Sequence, residues 1–227
     1  MAIDLAKKKE AAGIVLTKRN IVSPPACEVG VAIDISGSMS HEYENGTVQE
    51  IVERILALAM RFDLDGKLDF WTFSSGKDYI GTVSEDQAEN YVKRKVLNNP
   101  LVSKWGGTDY APVLKDIYDK YFGGGKGIMS IFGKGKKTEQ PVIIFFITDG
   151  ENSDRHEFEQ LMKDFRKKNI YIQIIGVGHA NLAYVKKVAE DERNVGFDQI
   201  RDVSKISDEE MMEKMITPEF ANWIESF

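Results

Sequence analysis

The sequence predicts an α/β protein with a Rossmann-like, doubly wound sheet that is mostly parallel and has one antiparallel edge strand. Strand-like and helix-like segments alternate along the chain, which is typical of parallel strands joined by helices. Residues 141–148 (PVIIFFIT) are β-branched and aromatic on both faces, as expected of a central strand that helices cover on both sides. Residues 67–73 and 77–83 flank Ser74-Ser75-Gly76, which predicts a hairpin that supplies the antiparallel edge.

The other elements are predicted in chain order from hydrophobic periodicity and helix-start signals. Residues 28–34 (EVGVAID) are a short apolar run that enters polar, glycine-containing sequence, which indicates a buried strand followed by a loop. A helix is predicted to begin at Thr47, where Thr47-Val-Gln-Glu50 has the form of a capping box. The remaining predictions are helices at 84–98, 109–122, 154–168 and 181–190, and strands at 170–177 and 195–203. Asp154 is predicted to cap the helix over 154–168, at whose start Asp154-Arg-His-Glu157 lies.

These elements divide the chain into three regions. Residues 1–27 are interpreted as an N-terminal extension, residues 28–206 as the domain, and residues 207–227 as a C-terminal helix that packs on the domain or extends it. Residues 123–137 are rich in glycine and lysine, which predicts a flexible insert within the domain. Because this insert lacks a G-x-x-x-x-G-K-[ST] match and precedes a strand, it is not interpreted as a nucleotide-binding loop.

Composition and charge argue against several classes of protein. With 227 residues, of which 42% are hydrophobic and 29% charged, the chain can bury a substantial core. Its net charge of -6 argues against a nucleic-acid partner. The longest apolar run, 142–147, is far shorter than the roughly 20 residues of a membrane-spanning helix, so we expect no membrane insertion. Because the first residues do not have the form of a secretory signal and Cys27 is the single cysteine, we expect a cytoplasmic protein.

Polar side chains follow two strands at the edge of the sheet where ligands bind in this fold class. Asp34, Ser36 and Ser38 form a D-x-S-x-S pattern after the first strand, and Asp149 ends the central strand. Thr108 lies in a W-G-G-T-D-Y segment at a predicted helix start, where its hydroxyl could turn towards the same crevice. Carboxylate and hydroxyl oxygens suit Mg²⁺ or Mn²⁺, with Ca²⁺ less favoured, and they suit zinc poorly.

These motifs resemble a known site. D-I-S-G-S, G-G-T and the strand-terminal T-D-G, in this order, are similar to the metal-ion-dependent adhesion site (MIDAS) of von Willebrand factor type A (vWA) domains, over about residues 28–203. The resemblance implies that the metal is held by five residues, some of them through water: Asp34, Ser36, Ser38, Thr108 and Asp149. It also implies that one coordination position stays open for an acidic side chain of a protein partner.

The surroundings of these motifs suggest a subfamily and a contact surface. G-G-T-D-Y-A-P-V and the N-terminal I-D-L-A-K-K-K and I-V-L-T-K-R segments are similar to bacterial cytoplasmic vWA proteins of tellurite-resistance and chemical-stress operons. A partner-binding rim is predicted from the residues that flank the metal ligands in sequence: His41, Tyr43, Trp105, Asp109, Tyr110 and Glu151. Packing explains Trp105 and Tyr110 equally well, and Thr108 and Asp109 also suit the N-cap of a helix.

The leading hypothesis is a non-enzymatic, metal-dependent protein-interaction module in a bacterial stress-response assembly. A Mg²⁺-dependent phosphohydrolase with Asp34 as nucleophile is the main alternative, but such enzymes usually carry a second Asp two residues later, where this chain has Ser36. A serine hydrolase has less support because the chain has no G-x-S-x-G motif. A structural scaffold without metal is the remaining alternative.

Overall fold

One six-stranded sheet organises the protein. The computed structural model describes residues 5–63, 66–123 and 138–227. The strands of these described residues are β1 (Glu28–Asp34), β2 (Leu68–Phe73), β3 (Lys77–Val83), β4 (Val142–Thr148), β5 (Ile170–Val177) and β6 (Val195–Ile200). They are arranged in the order β3-β2-β1-β4-β5-β6, and every neighbouring pair is parallel except β2 and β3. The predicted fold class is therefore confirmed.

Helices cover both faces of this sheet. In the described residues they are α1 (Leu5–Lys18), α2 (Ser40–Glu44), α3 (Thr47–Ala59), α4 (Ala111–Phe122), α5 (Arg155–Phe165), α6 (Ala183–Glu190), α7 (Asp208–Met215) and α8 (Pro218–Ile224). Buried side chains of α1, α3, α7 and α8 belong to one hydrophobic cluster, and those of α4, α5 and α6 belong to the other. The sheet thus separates two apolar layers, as a doubly wound architecture requires.

The central strand β4 contributes to both layers because successive side chains of a strand point to opposite faces. Ile143, Phe145 and Ile147 lie in the layer with α1 and α3, whereas Ile144 and Phe146 lie in the layer with α4 and α5. All five are at most 1% exposed. The apolar run that predicted a central strand therefore has the two-sided burial expected of it.

The sheet order places a topological switch point between β1 and β4. The chain continues from β1 to β2 on one side of the sheet and from β4 to β5 on the other. Connections that leave in opposite directions open a crevice at the carboxyl ends of the two strands. Asp34 ends β1 and Thr148 ends β4, so the segments that follow both strands meet at this crevice.

The predicted helix over 84–98 is wrong. The chain instead forms a 3₁₀ turn at Glu85–Gln87 and a π-helical turn at Lys93–Leu97. Asn90 lies between them with a φ of 53°, in the left-handed region that interrupts a right-handed helix. The side chain of Gln49, on α3, also forms hydrogen bonds of 2.8 and 2.9 Å with backbone groups of this segment. Tertiary hydrogen bonds thus replace helical ones here.

Several predicted helices and strands also differ from the observed ones in how they begin or end. Helix α3 begins at Thr47 as predicted, but it has no capping box, because its N-cap is Gly46; the side chain of Asn45 accepts from the N–H of Thr47 at 2.9 Å instead. The C-terminal segment forms two helices because Thr217 caps α8 and Pro218 occupies its first turn. The last strand ends at Ile200 rather than at residue 203.

Helix α1 was not predicted, although it belongs to the hydrophobic core. It packs against α3 and α7 through side chains that recur at helical spacing: Leu5, Ala11, Ala12, Val15 and Leu16. This spacing is the sequence signal that would have identified the helix. Residues 5–18, interpreted from sequence as part of an N-terminal extension, therefore pack in the same apolar layer as residues of the predicted domain.

Two further predictions concern the insert and the membrane. From residue 124 onward, the predicted flexible insert lies outside the described residues. Among the helices of the described residues, none combines the length and the apolar character that crossing a membrane requires.

Candidate metal centre

Asp34 lies at the base of the crevice and is completely buried. Its carboxylate accepts a hydrogen bond from the backbone N–H of Ser36 at 2.7 Å and another from the hydroxyl of Thr148 at 2.7 Å. Strand pairing of β1 with β4 brings the two strand ends together, since Ile33 lies opposite Ile147. The carboxylate is therefore held by both strands that flank the switch point.

The two serines of the D-x-S-x-S loop connect Asp34 to Asp149. A 3₁₀ turn at Gly37–Met39 curls the loop, so that the hydroxyls of Ser36 and Ser38 lie 3.2 Å apart. Ser38 then donates a hydrogen bond to Oδ1 of Asp149 at 2.8 Å. The structure thus brings four of the five predicted metal residues into one hydrogen-bonded group.

Thr108 lies in a loop that packs against both of these segments. The backbone N–H of Trp105 donates to the carbonyl of Ile35 at 2.8 Å, and that of Gly37 donates to the carbonyl of Gly106 at 3.1 Å. The carbonyl of Thr108 in turn accepts from the N–H of Ser153 at 2.9 Å. The fifth predicted residue is therefore placed at the junction of the loops that follow β1 and β4.

Asp154 fixes this junction, and sequence analysis assigned it a different role. Its carboxylate accepts from the backbone N–H groups of Tyr110 at 3.0 Å and Ala111 at 2.6 Å, at the start of α4. The prediction that Asp154 caps its own helix, α5, is wrong, because its side chain makes no capping bond there. The cap role considered for Thr108 and Asp109 is likewise not seen, since the N-cap of α4 is Tyr110.

Replacing Asp154 with Ala is expected to lower the free energy of unfolding by about 1–2 kcal/mol, because two N–H groups at the start of α4 lose their acceptor. The measurement is urea unfolding of the metal-free protein. Asp164 is a suitable control because it is exposed on α5, and its replacement with Ala should change stability by no more than about 0.5 kcal/mol. Equal effects of the two substitutions would contradict the assigned role of Asp154.

Tyr110 and Tyr43, both predicted to contact a partner at the rim, are buried instead. Tyr110 is 0% exposed and Tyr43 is 3% exposed. The hydroxyl of Tyr110 lies 3.2 Å from that of Thr148 and also donates to the carbonyl of Gly150. Its ring packs edge-on against Phe146, with the ring centroids 4.8 Å apart. These tyrosines support the crevice from within, so the prediction that they form a contact surface is corrected.

The other predicted rim residues lie closer to solvent. Trp105 is 40% exposed, packs edge-on against Tyr43 and has a φ of 64°, which is uncommon for a residue with a side chain. His41 is exposed. Asp109 accepts from the hydroxyl of Ser153, and Glu151 pairs with Arg155 while accepting from the N–H of Tyr184. Trp105 and His41 thus retain the most freedom to contact another molecule.

The crevice holds negative charge without a basic counterpart. Burial raises the pKa of Asp34 to about 6, although hydrogen bonds from Ser36 and Thr148 oppose the shift and the charge of Asp149 adds to it. Burial also raises the pKa of Asp149, and the nearby charge of Glu42 raises it further. In the part of the chain that the structure describes, no Lys, Arg or His side chain pairs with these three carboxylates. A cation would relieve this repulsion.

An orphaned oxygen gives a second reason to place a cation here. Oε2 of Glu42 is buried and has no hydrogen-bond partner among the described residues. Sequence analysis did not select Glu42, because an acidic residue in a short helix is ordinarily solvated. The donor set of carboxylates and hydroxyls therefore fits a hard divalent cation.

The candidate centre is not built from carboxylate, imidazole or thiol groups alone. Residues 5–63, 66–123 and 138–227 contain no group of three or more His, Cys, Asp or Glu side chains arranged to hold a metal ion. The candidate centre thus depends on hydroxyl oxygens as well as carboxylates.

A family model described as vWA-TerF-like, "vWA found in TerF C terminus", matches residues 26–227. The chain belongs to this family of vWA domains. The match extends beyond the residues 28–203 on which the resemblance was recognised, so it includes α7 and α8. Domains of the vWA type are generally non-enzymatic interaction modules.

Similar proteins include a bacterial relative and several solved vWA structures. "Uncharacterized protein YcbR" of Bacillus subtilis (strain 168) is 34% identical over 226 residues, which cover 98% of this chain and 86% of the relative. The structure of a von Willebrand factor type A protein from Catenulispora acidiphila has a TM-score of 0.59 and 16% identity, over 86% of this chain and 43% of that chain.

A third similar protein was solved with a metal in its MIDAS motif. Proximal thread matrix protein 1 from the mussel byssus, with a zinc-occupied MIDAS motif, has a TM-score of 0.56 and 17% identity, over 91% of this chain and 50% of that chain. This vWA domain thus spans half or less of the two solved chains, and at these identities the likeness establishes the shared fold alone.

Proposed function

We propose that this vWA domain is a protein-interaction module whose binding requires a divalent cation held by Asp34, Ser36, Ser38, Thr108 and Asp149. The observation that carries the proposal is a buried carboxylate, Asp34, and a half-buried one, Asp149, that share a hydroxyl-lined crevice without a basic partner among the described residues. Buried carboxylates of this kind are ordinarily paired with positive charge or bound to metal.

The chain's own residues would act by presenting oxygens in a fixed arrangement. Asp34 is restrained by two hydrogen bonds, and the hydroxyl of Ser38 is oriented by Asp149. We favour Mg²⁺ or Mn²⁺ because these ions prefer carboxylate and hydroxyl oxygens. A bound ion would supply positive charge and a coordination position for an acidic side chain of a partner.

The same features favour binding over catalysis. An aspartate-nucleophile phosphohydrolase would need a general acid two residues after Asp34, and Ser36 occupies that position. The hydroxyl of Ser36 lies 3.2 Å from that of Ser38, and no histidine hydrogen-bonds to either serine within the described residues. Within the described residues, the site therefore lacks the histidine that usually activates a serine nucleophile.

We place the partner in a bacterial, cytoplasmic stress-response assembly of the tellurite-resistance type. Support comes from the similarity of the G-G-T-D-Y-A-P-V segment to such proteins, from the TerF-related family description and from the bacterial relative. Trp105 and His41, at the edge of the crevice, would contact the partner beside its acidic side chain.

Metal-dependent capture tests this function. Immobilised wild-type protein is expected to retain specific proteins from a bacterial lysate in Mg²⁺ and to release them on addition of a chelator or of excess acetate, because the partner is held through a carboxylate. Asp34→Asn should retain none of them, since it lacks one of the two metal-binding carboxylates. The matched control, Asp164→Asn, changes an exposed carboxylate of α5 and should behave as wild type.

The same capture experiment can also overturn the proposal. Proteins that stay bound in chelator, and that Asp34→Asn retains as well as wild type does, would show that the working surface lies elsewhere.

A further inference from the structure

A cleft lies at the edge of the sheet where β5 and β6 begin. Asn169 and Asn194, which directly precede these strands, line one side of it, and α8 with residues 226 and 227 lines another. Its volume is about 450 Å³, which is in the range of pockets that hold small organic ligands. The candidate metal residues follow the ends of β1 and β4, which run parallel to β5 and β6, so the cleft and the metal centre lie at opposite edges of the sheet.

Three basic side chains line this cleft. Arg166 is neutralised by Glu192 through two hydrogen bonds of 2.7 and 2.6 Å. Lys168 lies over the ring of Tyr118, 5.3 Å from its centroid, and Arg193 donates to the backbone carbonyl of Arg166 at 3.4 Å. Among the residues that the structure describes, neither Lys168 nor Arg193 forms an ion pair with a carboxylate. The cleft therefore carries two positive charges that an anion could neutralise.

Asn194 forms the floor of the cleft and has an unsatisfied acceptor. It is 3% exposed, and its Nδ2 donates to the carbonyls of Phe165 at 3.3 Å and Ile170 at 3.1 Å. These two acceptors fix which end of the amide is the nitrogen. The other end, Oδ1, is buried and has no hydrogen-bond partner in the described part of the chain. A buried acceptor is unfavourable unless a donor satisfies it, so the floor of the cleft favours a ligand with an N–H group.

The side of the cleft formed by α8 is aromatic. Trp223 is half-buried against Tyr171, with the ring centroids 5.4 Å apart. Phe227 packs edge-on against Trp223 at 5.0 Å and is 50% exposed. A flat heterocycle can stack on an exposed ring of this kind. Glu219, on the same helix, adds an exposed carboxylate, which is a suitable acceptor for the hydroxyls of a ribose.

We propose that this cleft binds a mononucleotide. Lys168 and Arg193 would hold the phosphate, Phe227 would stack on the base, and Oδ1 of Asn194 would accept an N–H of the base. A simple inorganic anion would leave the aromatic side and the buried acceptor unused, and an uncharged heterocycle would leave the two positive charges without a partner. The proposal does not depend on the metal centre, because the two sites are separate.

Titration of the full chain with AMP, GMP, CMP and UMP in the presence of a chelator tests the proposal. At least one nucleotide is expected to bind with a dissociation constant below about 1 mM and to shift the side-chain amide signals of Asn194 in ¹⁵N–¹H NMR spectra. Inorganic phosphate and the corresponding nucleoside should each bind at least about tenfold more weakly, because each lacks part of the contacts.

Two substitutions separate the contributions of charge and stacking. Arg193→Gln is expected to weaken the binding of both the nucleotide and inorganic phosphate about tenfold, because one positive charge is lost. Phe227→Ala should weaken nucleotide binding about fivefold and leave phosphate binding unchanged. The matched control, Arg201→Gln, changes an exposed arginine beyond the carboxyl end of β6 and should bind as wild type.

Three results would overturn the assignment. One is that none of the four nucleotides binds, or that one binds without shifting the signals of Asn194. Another is that inorganic phosphate binds as tightly as the nucleotide, which would show that the aromatic side contributes nothing. The third is an equal loss of binding in Arg193→Gln and Arg201→Gln, which would indicate a nonspecific effect of charge.

Discussion

Asp34→Asn is expected to abolish the stabilisation of the fold by Mg²⁺. A ligand that binds only the folded protein adds about 2.7 kcal/mol when its free concentration is 100 times its dissociation constant, which corresponds to a rise of roughly 5–10 °C in the unfolding temperature of a domain of this size. Asp34 supplies a buried carboxylate at the base of the crevice, so its neutral amide should remove this gain. Thermal unfolding with Mg²⁺ and with chelator measures the difference.

The variant should remain folded without metal. Asn has the size of Asp, and its single carbonyl oxygen can still accept from the N–H of Ser36. Its amide group can donate to the hydroxyl of Thr148, which then donates to the carbonyl of Gly150, and the substitution removes a charge whose burial is unfavourable. Asp164→Asn, on the exposed face of α5, should gain stability from Mg²⁺ as wild type does. An equal Mg²⁺-dependent gain in Asp34→Asn would show that the ion binds elsewhere.

Phe146→Ala is expected to lower the free energy of unfolding by about 3–5 kcal/mol, because truncating a large core aromatic removes apolar burial and leaves a cavity. Phe146 is 1% exposed on β4, and its ring stacks on Phe73 at 4.6 Å and contacts Tyr110 at 4.8 Å between centroids. Urea unfolding of the metal-free protein measures the free energy of unfolding. If this free energy falls with urea concentration at the same slope as in wild type, the two proteins expose similar surface on unfolding and their stabilities can be compared.

A second aromatic substitution separates core packing from a general effect of losing a ring. Phe227 is 50% exposed at the C-terminal end, where it contacts Trp223, and its replacement with Ala should cost less than about 1 kcal/mol. A similarly small loss in Phe146→Ala would contradict the view that this aromatic layer supports the crevice through Tyr110.

Features of the candidate centre that depend on local pattern were predictable. Asp34 ends β1, Ser36 and Ser38 follow it within four residues, and Asp149 directly follows the apolar strand β4, so the strand-end rule located them together. The structure connects these four through hydrogen bonds, as their placement on neighbouring strands implies. Metal binding by them remains a proposal that Asp34→Asn tests.

Other features depend on contacts between distant segments. The failure of the helix over 84–98 reflects the left-handed Asn90 and hydrogen bonds from Gln49, which helical propensity alone does not report. The capping of α4 by Asp154 joins two loops that are far apart in sequence. Sequence reasoning assigned Asp154 to the helix that follows it, because local caps are the more common arrangement.

The sequence by itself determined the fold class, the order of the strands along the chain and the oxygen-bearing side chains at the strand ends, because these follow from hydrophobic periodicity and from motif spacing. Tertiary structure alone decided which aromatic residues near the site are buried, as with Tyr43 and Tyr110, and that one carboxylate oxygen of Glu42, Oε2, is enclosed without a partner among the described residues. The physical reason is that burial and charge pairing depend on which distant segments pack together, and the spacing of residues along one segment does not contain that information.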